Sequence, residues 1–173
     1  MRAVVVPGGS WGTAFAALLR DRGHEVTLAC RDPEQVRAIE ETGHNPRYLT
    51  TTDLRGVTAA TVEDAPVAEA DLVVLAVPSR AFAEVAEALP GNAPVLILTK
   101  GLDPATGNRL STRVEGRPVA VLSGPNMAEE IAQGLPSATV IAIAQEGRKR
   151  GSPRSTSHDD DLHAAPFRRI APS

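Results

Sequence analysis

The residues best suited to chemistry lie in one stretch near the start of the chain, Ala3-Val4-Val5-Val6-Pro7-Gly8-Gly9-Ser10-Trp11-Gly12-Thr13-Ala14. An apolar, β-branched run stops at glycines and a helical pattern follows. That is the sequence form of a strand, turn and helix whose turn receives a dinucleotide pyrophosphate. Glycine lets the backbone come close to a ligand, and the first N–H groups of a helix have no internal partner and attract an anion. The G-x-G-x-x-G spacing is imperfect, because its three positions fall on Pro7, Gly9 and Gly12. Gly9 falls where the pyrophosphate approaches and Gly12 where the helix packs on the strand. Pro7 fixes its own φ and has no N–H, so the start of the turn must differ. A strand-to-helix turn without a ligand remains open on this local pattern.

Further candidates follow along the chain. Cys30-Arg31 stands where an acid usually contacts the adenosine ribose of NAD, with Asp32 one residue later. Arg31 either clamps a 2′-phosphate by paired hydrogen bonds, which favours NADP over NAD, or is a solvated surface arginine. Lys100 follows an apolar run and precedes a glycine; it binds phosphate, polarises a carbonyl, or is simply solvated. Ser123-Gly124-Pro125-Asn126 offers backbone N–H groups and an amide to an anion, with Asn126 also a candidate helix cap. Trp11, the only tryptophan, lies in the glycine turn and either lines a cleft or covers the sheet end. His158-Asp159-Asp160-Asp161-Leu162-His163 holds metal-ligand types but lacks supporting structure, so no metal site is expected. Cys30 reads as packing, and no Ser/His/Asp arrangement can be assembled.

The elements that must position these residues alternate in type. Strands are expected at residues 2–6, 25–30, 71–77, 94–98, 118–122 and 137–144, and helices at 12–22, 33–41, 63–69, 80–89 and 128–133. Residues 44–58 read as a polar loop with a short edge strand. The implied fold is α/β: a Rossmann-like, doubly wound, mostly parallel sheet with helices on both faces. Its polar turns, at residues 8–12, 30–31, 77–79, 99–101 and 123–126, then share the rim at the carboxyl ends of the strands. At 173 residues the chain suits one domain, and 42% hydrophobic with 3% aromatic content implies an aliphatic core. A net charge of −3 gives no footprint for nucleic acid or an anionic membrane, and a single cysteine excludes an internal disulfide. The apolar start is too short for a signal sequence or a membrane span, so a cytoplasmic protein is the default. Residues 1–144 form the expected domain, and 145–173, without hydrophobic period, read as a disordered tail.

Five blocks carry a resemblance: Gly9-Ser10-Trp11-Gly12-Thr13-Ala14, Asn45-Pro46-Arg47-Tyr48-Leu49, Ala76-Val77-Pro78-Ser79, Thr99-Lys100-Gly101-Leu102 and Leu122-Ser123-Gly124-Pro125-Asn126-Met127-Ala128-Glu129-Glu130. Their order and spacing resemble the bacterial-type NAD(P)-dependent glycerol-3-phosphate dehydrogenase family as far as about Ala144. The resemblance implies a cytoplasmic enzyme interconverting dihydroxyacetone phosphate and sn-glycerol 3-phosphate by hydride transfer, for glycerophospholipid synthesis. It assigns Ser10, Trp11, Arg31, Tyr48, Lys100 and Ala128 to NADP or NAD, beside Gly9 and Gly12 of the glycine turn, and Lys100, Gly124 and Asn126 to the substrate. No oligomeric state follows.

Three departures stand out. Pro7 replaces a glycine, and Asn126 replaces a small hydroxyl residue. The family's helical C-terminal domain, with its proton-transferring lysine, has no counterpart here, so no catalytic residue is assigned. The expectation is therefore a cofactor-binding part that is inactive alone, the alternative being a non-catalytic dinucleotide-binding module or a non-functional fragment. The Arg, Ser, Pro and His content of residues 145–173 is what a shifted reading frame of a GC-rich gene produces. Translating the other two frames of the DNA downstream tests that origin: the helical domain should appear in one of them.

Overall fold

The computed structural model describes residues 1–144; the expected tail, with its His/Asp cluster, lies outside the described residues. The first strand, β1 (Arg2–Val6), turns Ala3 and Val5 to one face of the sheet and Val4 and Val6 to the other, and all four are buried. The run lacks polar alternation for that reason: both faces of a central parallel strand are covered. Helix α1 (Ser10–Asp21) begins two residues earlier than expected, so Ser10 and Trp11 belong to its first turn rather than to the loop before it. Strand β2 (Glu25–Cys30) pairs parallel with β1. Asp32 then starts α2 (Pro33–Thr42), accepting the Glu34 N–H at 2.9 Å, with Pro33 at the first helical position. Gly43 ends that helix at φ 71°, a left-handed conformation that glycine adopts without strain.

Strand β3 (Val57–Thr61) pairs with the outer side of β2. The chain then crosses to the other side of β1, where β4 (Leu72–Leu75) pairs parallel with it. After α3 (Ser79–Glu87), strands β5 (Val95–Ile97) and β6 (Val119–Ser123) extend the parallel sheet. The short α4 (Ala128–Ala132) leads to β7 (Val140–Ala144), which returns antiparallel to β6. The order is β3-β2-β1-β4-β5-β6-β7, a doubly wound sheet whose direction of growth reverses between β1 and β4.

Two apolar clusters sandwich this sheet. One gathers Phe15, Leu19, Leu28, Ile39 and Leu54 under α1 and α2; the other gathers Leu75, Phe82, Ile97, Leu110 and Val114 under α3. Helix α4 packs against α1.

Local chemistry explains where expectation and structure part. The helix expected at 63–69 shrinks to a 3₁₀ turn, Val67–Glu69, because Pro66 lacks an N–H and cannot sit inside a helix. Ser79 does not cap α3: it lies within the helix, and Pro78 holds the cap position in an extended conformation. Asn126 does not cap α4 either. Met127 holds that position without a side-chain hydrogen bond, and the Asn126 amide is bonded elsewhere. Strand β4 ends at Leu75 rather than 77, and β7 begins at Val140 rather than 137.

The segment between β5 and β6 is pinned by Asp103, which is 3% exposed. Its carboxylate accepts the Ala105 N–H at 2.9 Å, the Thr106 hydroxyl at 2.9 Å and the Arg113 Nε–H at 2.6 Å. The Ala105 N–H, then Arg113 and Thr106, hold this carboxyl below the usual carboxylate range. A depressed pKa contributes stability that is fully present above the unfolded value of about 3.9 and is lost as pH falls through the folded value. Asp103→Asn should therefore flatten the acid side of the stability–pH curve below about pH 4, read by urea denaturation at several pH values.

Candidate functional site

The carboxyl ends of β1, β2, β4, β5 and β6 share one rim, with the glycine turn at its centre. The Val6–Pro7 peptide is cis. Gly8 N–H donates to the Ala29 carbonyl at 2.8 Å and Gly9 N–H to the Pro7 carbonyl at 2.9 Å. None of Gly8, Gly9 and Gly12 has a positive φ, so at Gly8 and Gly12 space rather than backbone conformation requires glycine. A Cβ on Gly12 would overlap the Pro7 carbonyl oxygen, and one on Gly8 would come within 2.6 Å of Cys30 Sγ. A Cβ on Gly9 would meet nothing within 4 Å, so the backbone there faces open space. Behind it, α1 begins with no side-chain cap and no acidic residue in its first turn. The N–H groups of Ser10, Trp11 and Gly12 thus have no partner among the described residues.

A buried amide network holds the turn from below. Gln35 Nε2 donates to the Gly8 carbonyl at 2.6 Å and to Asn45 Oδ1 at 3.1 Å. Asn45 Nδ2 donates to the same carbonyl at 3.1 Å and to the Thr13 hydroxyl at 2.8 Å. Asn45 Oδ1 also accepts the N–H groups of Arg47 and Tyr48. Thr13, Gln35 and Asn45 are all buried. Sequence reasoning passed over Gln35 and saw Thr13 and Asn45 only as parts of blocks. The available signal was Gln35 itself, a polar residue one turn before Ile39 on the inner face of α2.

At the end of β2, Cys30 is fully buried, and burial pushes its thiol up to about 11, with the Asp32 charge adding to the rise against the pull of the Gly8 backbone. It is a neutral packing thiol at physiological pH. Arg31 is exposed and has no ion pair or hydrogen bond among the described residues. Asp32, by contrast, is engaged twice, by the Glu34 N–H and by Arg47 at 2.5 Å. Tyr48 is exposed and is tied to the glycine turn through Asn45.

The third group joins four of the expected residues. Lys100 Nζ lies 5.3 Å from the centre of the Trp11 ring and donates to the carbonyls of Asn126 at 3.0 Å and Gly124 at 3.4 Å. Gly124 has a φ of 148°, and a Cβ there would meet the Ala138 carbonyl at 2.5 Å. Asn126 is 4% exposed; its Nδ2 donates to the Thr139 hydroxyl at 3.0 Å, and its Oδ1 is buried without a partner among the described residues. Ala128 is buried at the start of α4.

A family model described as "NAD-dependent glycerol-3-phosphate dehydrogenase N-terminus" matches residues 2–148. The chain belongs to this family. It is 43% identical over 162 residues to a glycerol-3-phosphate dehydrogenase [NAD(P)+] of Nocardia farcinica, covering 85% of this chain and 48% of that protein. The corresponding protein of Methylobacterium radiotolerans is 39% identical over 153 residues, covering 83% and 46%. A crystal structure of glycerol-3-phosphate dehydrogenase from Coxiella burnetii superimposes with a TM-score of 0.73 at 29% identity, covering 83% of this chain and 47% of that one. The chain spans about half the length of the curated relatives it matches.

Removing the Asn45 amide leaves the Gly8 carbonyl with one donor and strands two backbone N–H groups. Asn45→Ala should destabilise the domain by about 2–3 kcal/mol, measured as a lowered urea midpoint.

Proposed function

We propose that residues 1–144 are the dinucleotide-binding half of a glycerol-3-phosphate dehydrogenase, which interconverts dihydroxyacetone phosphate and sn-glycerol 3-phosphate. The observation that carries this reading is the uncapped start of α1 behind Gly9, at the β1/β4 reversal, in a chain of this family. A pyrophosphate fits there because the backbone at Gly9 faces open space, the first N–H groups of α1 lack partners among the described residues, and the first turn of α1 carries no acidic residue. Gly9, Ser10, Trp11 and Gly12 would hold it. Tyr48, Lys100 and Ala128 complete the cofactor set by their match to the family pattern.

Arg31 favours NADP over NAD. Its guanidinium has no partner among the described residues, while Asp32, the nearest acid able to accept ribose hydroxyls, is occupied by Arg47 and by the cap of α2. Lys100, Gly124 and Asn126 meet the substrate: Lys100 Nζ puts a positive charge beside a phosphorylated triose, and Asn126 Oδ1 accepts from a hydroxyl. The nicotinamide, when bound, supplies the hydride, and this chain supplies position and charge. The product feeds glycerophospholipid synthesis in the cytoplasm. Among the described residues no helix is long and apolar enough to cross a membrane.

A second reading, a dinucleotide-binding module without turnover, is favoured for the 173-residue chain by itself, which spans about half of its relatives. General acid–base help is worth about 10²–10⁴-fold, and in the family pattern it comes from a lysine beyond these residues. Calorimetric titration of the purified chain should show NADPH binding more tightly than NADH. Arg31→Ala should weaken NADPH about tenfold or more while leaving NADH unchanged. NADH binding at least as tightly, with no effect of the substitution, would falsify the preference. Oxidation of NADPH dependent on dihydroxyacetone phosphate would overturn the reading of the isolated chain as inactive.

A further inference from the structure

The contact between Trp11 and Lys100 points to a device that family membership does not assign. Lysine carries its charge on a flexible four-carbon stem with three rotatable donors, so an ammonium on an open rim is not held by its own geometry. Here it is held from three sides. The Trp11 ring centre lies at 5.3 Å, within the range where the negative face of an indole attracts a cation. The Asn126 and Gly124 carbonyls accept at 3.0 Å and 3.4 Å. No carboxylate pairs with Lys100 among the described residues. That choice of partners matters. A carboxylate would fix the ammonium but cancel its charge and compete with an incoming anion. A ring face and two neutral carbonyls fix it and leave the full positive charge available. The ring is itself anchored, because Trp11 packs against the apolar cluster under α1.

We propose that Trp11 is a positioning residue for Lys100, whose ring holds the ammonium between the glycine turn and the 124–126 turn so that the charge is in place before an anionic ligand arrives. The consequence for ligand affinity rests on the reading of the rim as a dinucleotide site; the contact itself does not.

Trp11 is the only tryptophan in the chain, so its emission reports the contact directly. In the ligand-free chain, Lys100→Met should change the emission and Lys100→Arg, which keeps a cation over the ring, should largely preserve it, with far-UV circular dichroism unchanged in both. An emission that ignores Lys100→Met overturns the inference. The second measurement is NADPH affinity by calorimetry in a double-mutant cycle. Trp11→Leu should raise the dissociation constant about three- to tenfold, and Trp11→Phe, which keeps an aromatic face, should recover most of the loss. In the Lys100→Met background, Trp11→Leu should change affinity by less than about twofold, because the group that it positions is gone. An equal loss in both backgrounds would mean that the ring acts on the ligand alone, and the inference fails. If the unaltered chain does not bind NADPH at all, the dinucleotide reading fails, and the emission comparison decides the Trp11–Lys100 contact by itself.

Discussion

The structure depends on one carbonyl. Gly8 O sits at the end of β1, in the middle of the sheet, where backbone geometry leaves it no strand partner. Gln35 and Asn45 each direct an amide N–H at it, from α2 and from the loop that follows. A buried carbonyl without a donor costs about 1–3 kcal/mol, so these two bonds decide whether the glycine turn can exist in its observed form. Because Asn45 also bonds Thr13 in α1 and the N–H groups of Arg47 and Tyr48, the turn, the helix behind it and the loop beside it are tied together through one side chain. A dinucleotide site needs that rigidity. Unpartnered N–H groups at a helix start attract an anion in any protein, but they select a ligand only when their position is fixed.

Charge is distributed around the same turn with a consistent sense. The chain is net acidic, yet two cations on the rim have no carboxylate partner among the described residues. Arg31 has no partner among the described residues, and Lys100 is held by a ring and carbonyls. Two acids nearby are committed: Asp32 to its helix cap and Arg47, and Asp103 to Ala105, Thr106 and Arg113. Local field, rather than net charge, is what an anionic ligand meets at the rim.

Most of the fold was legible because its signals are local. Four apolar residues in a row at the end of β1, or Leu-Val-Val-Leu in β4, can only be strands covered on both faces, and Asp32-Pro33 with Gly43 brackets α2 by cap chemistry alone. The alternation of strands and helices then implied the doubly wound order. The misreadings have two causes: a proline within the local window, at Pro66 and Pro78, and a contact outside it, at Asn126. Ser79 looks like a cap until Pro78 takes the position, and Asn126 looks like one until Thr139 on the far side of α4 captures its amide. The amide network was invisible for the second reason, since Gly8, Thr13, Gln35 and Asn45 are brought together only by the fold. The resemblance named Asn45 within a block but gave no role for it, and the role is structural: it sets the turn.

The two departures from the family pattern at the rim are absorbed differently. Pro7 brings no N–H, and none is missed: its carbonyl accepts from Gly9 and forms the wall against which Gly12 must remain glycine. The substitution changes how the chain enters the turn and leaves the ligand side of it intact. Asn126 is another matter. A serine or threonine would bring one hydroxyl, able to turn its donor or acceptor side to whichever partner is present. The amide is larger and has fixed polarity, and with Nδ2 on Thr139 its oxygen is buried with no donor, next to a backbone carbonyl that binds Lys100. An unsatisfied buried oxygen is tolerable in the empty domain only if its cost is small against the stability of the core or is relieved when a donor arrives. The cost of Asn126 therefore falls on the ligand-free domain, where no donor among the described residues reaches its oxygen.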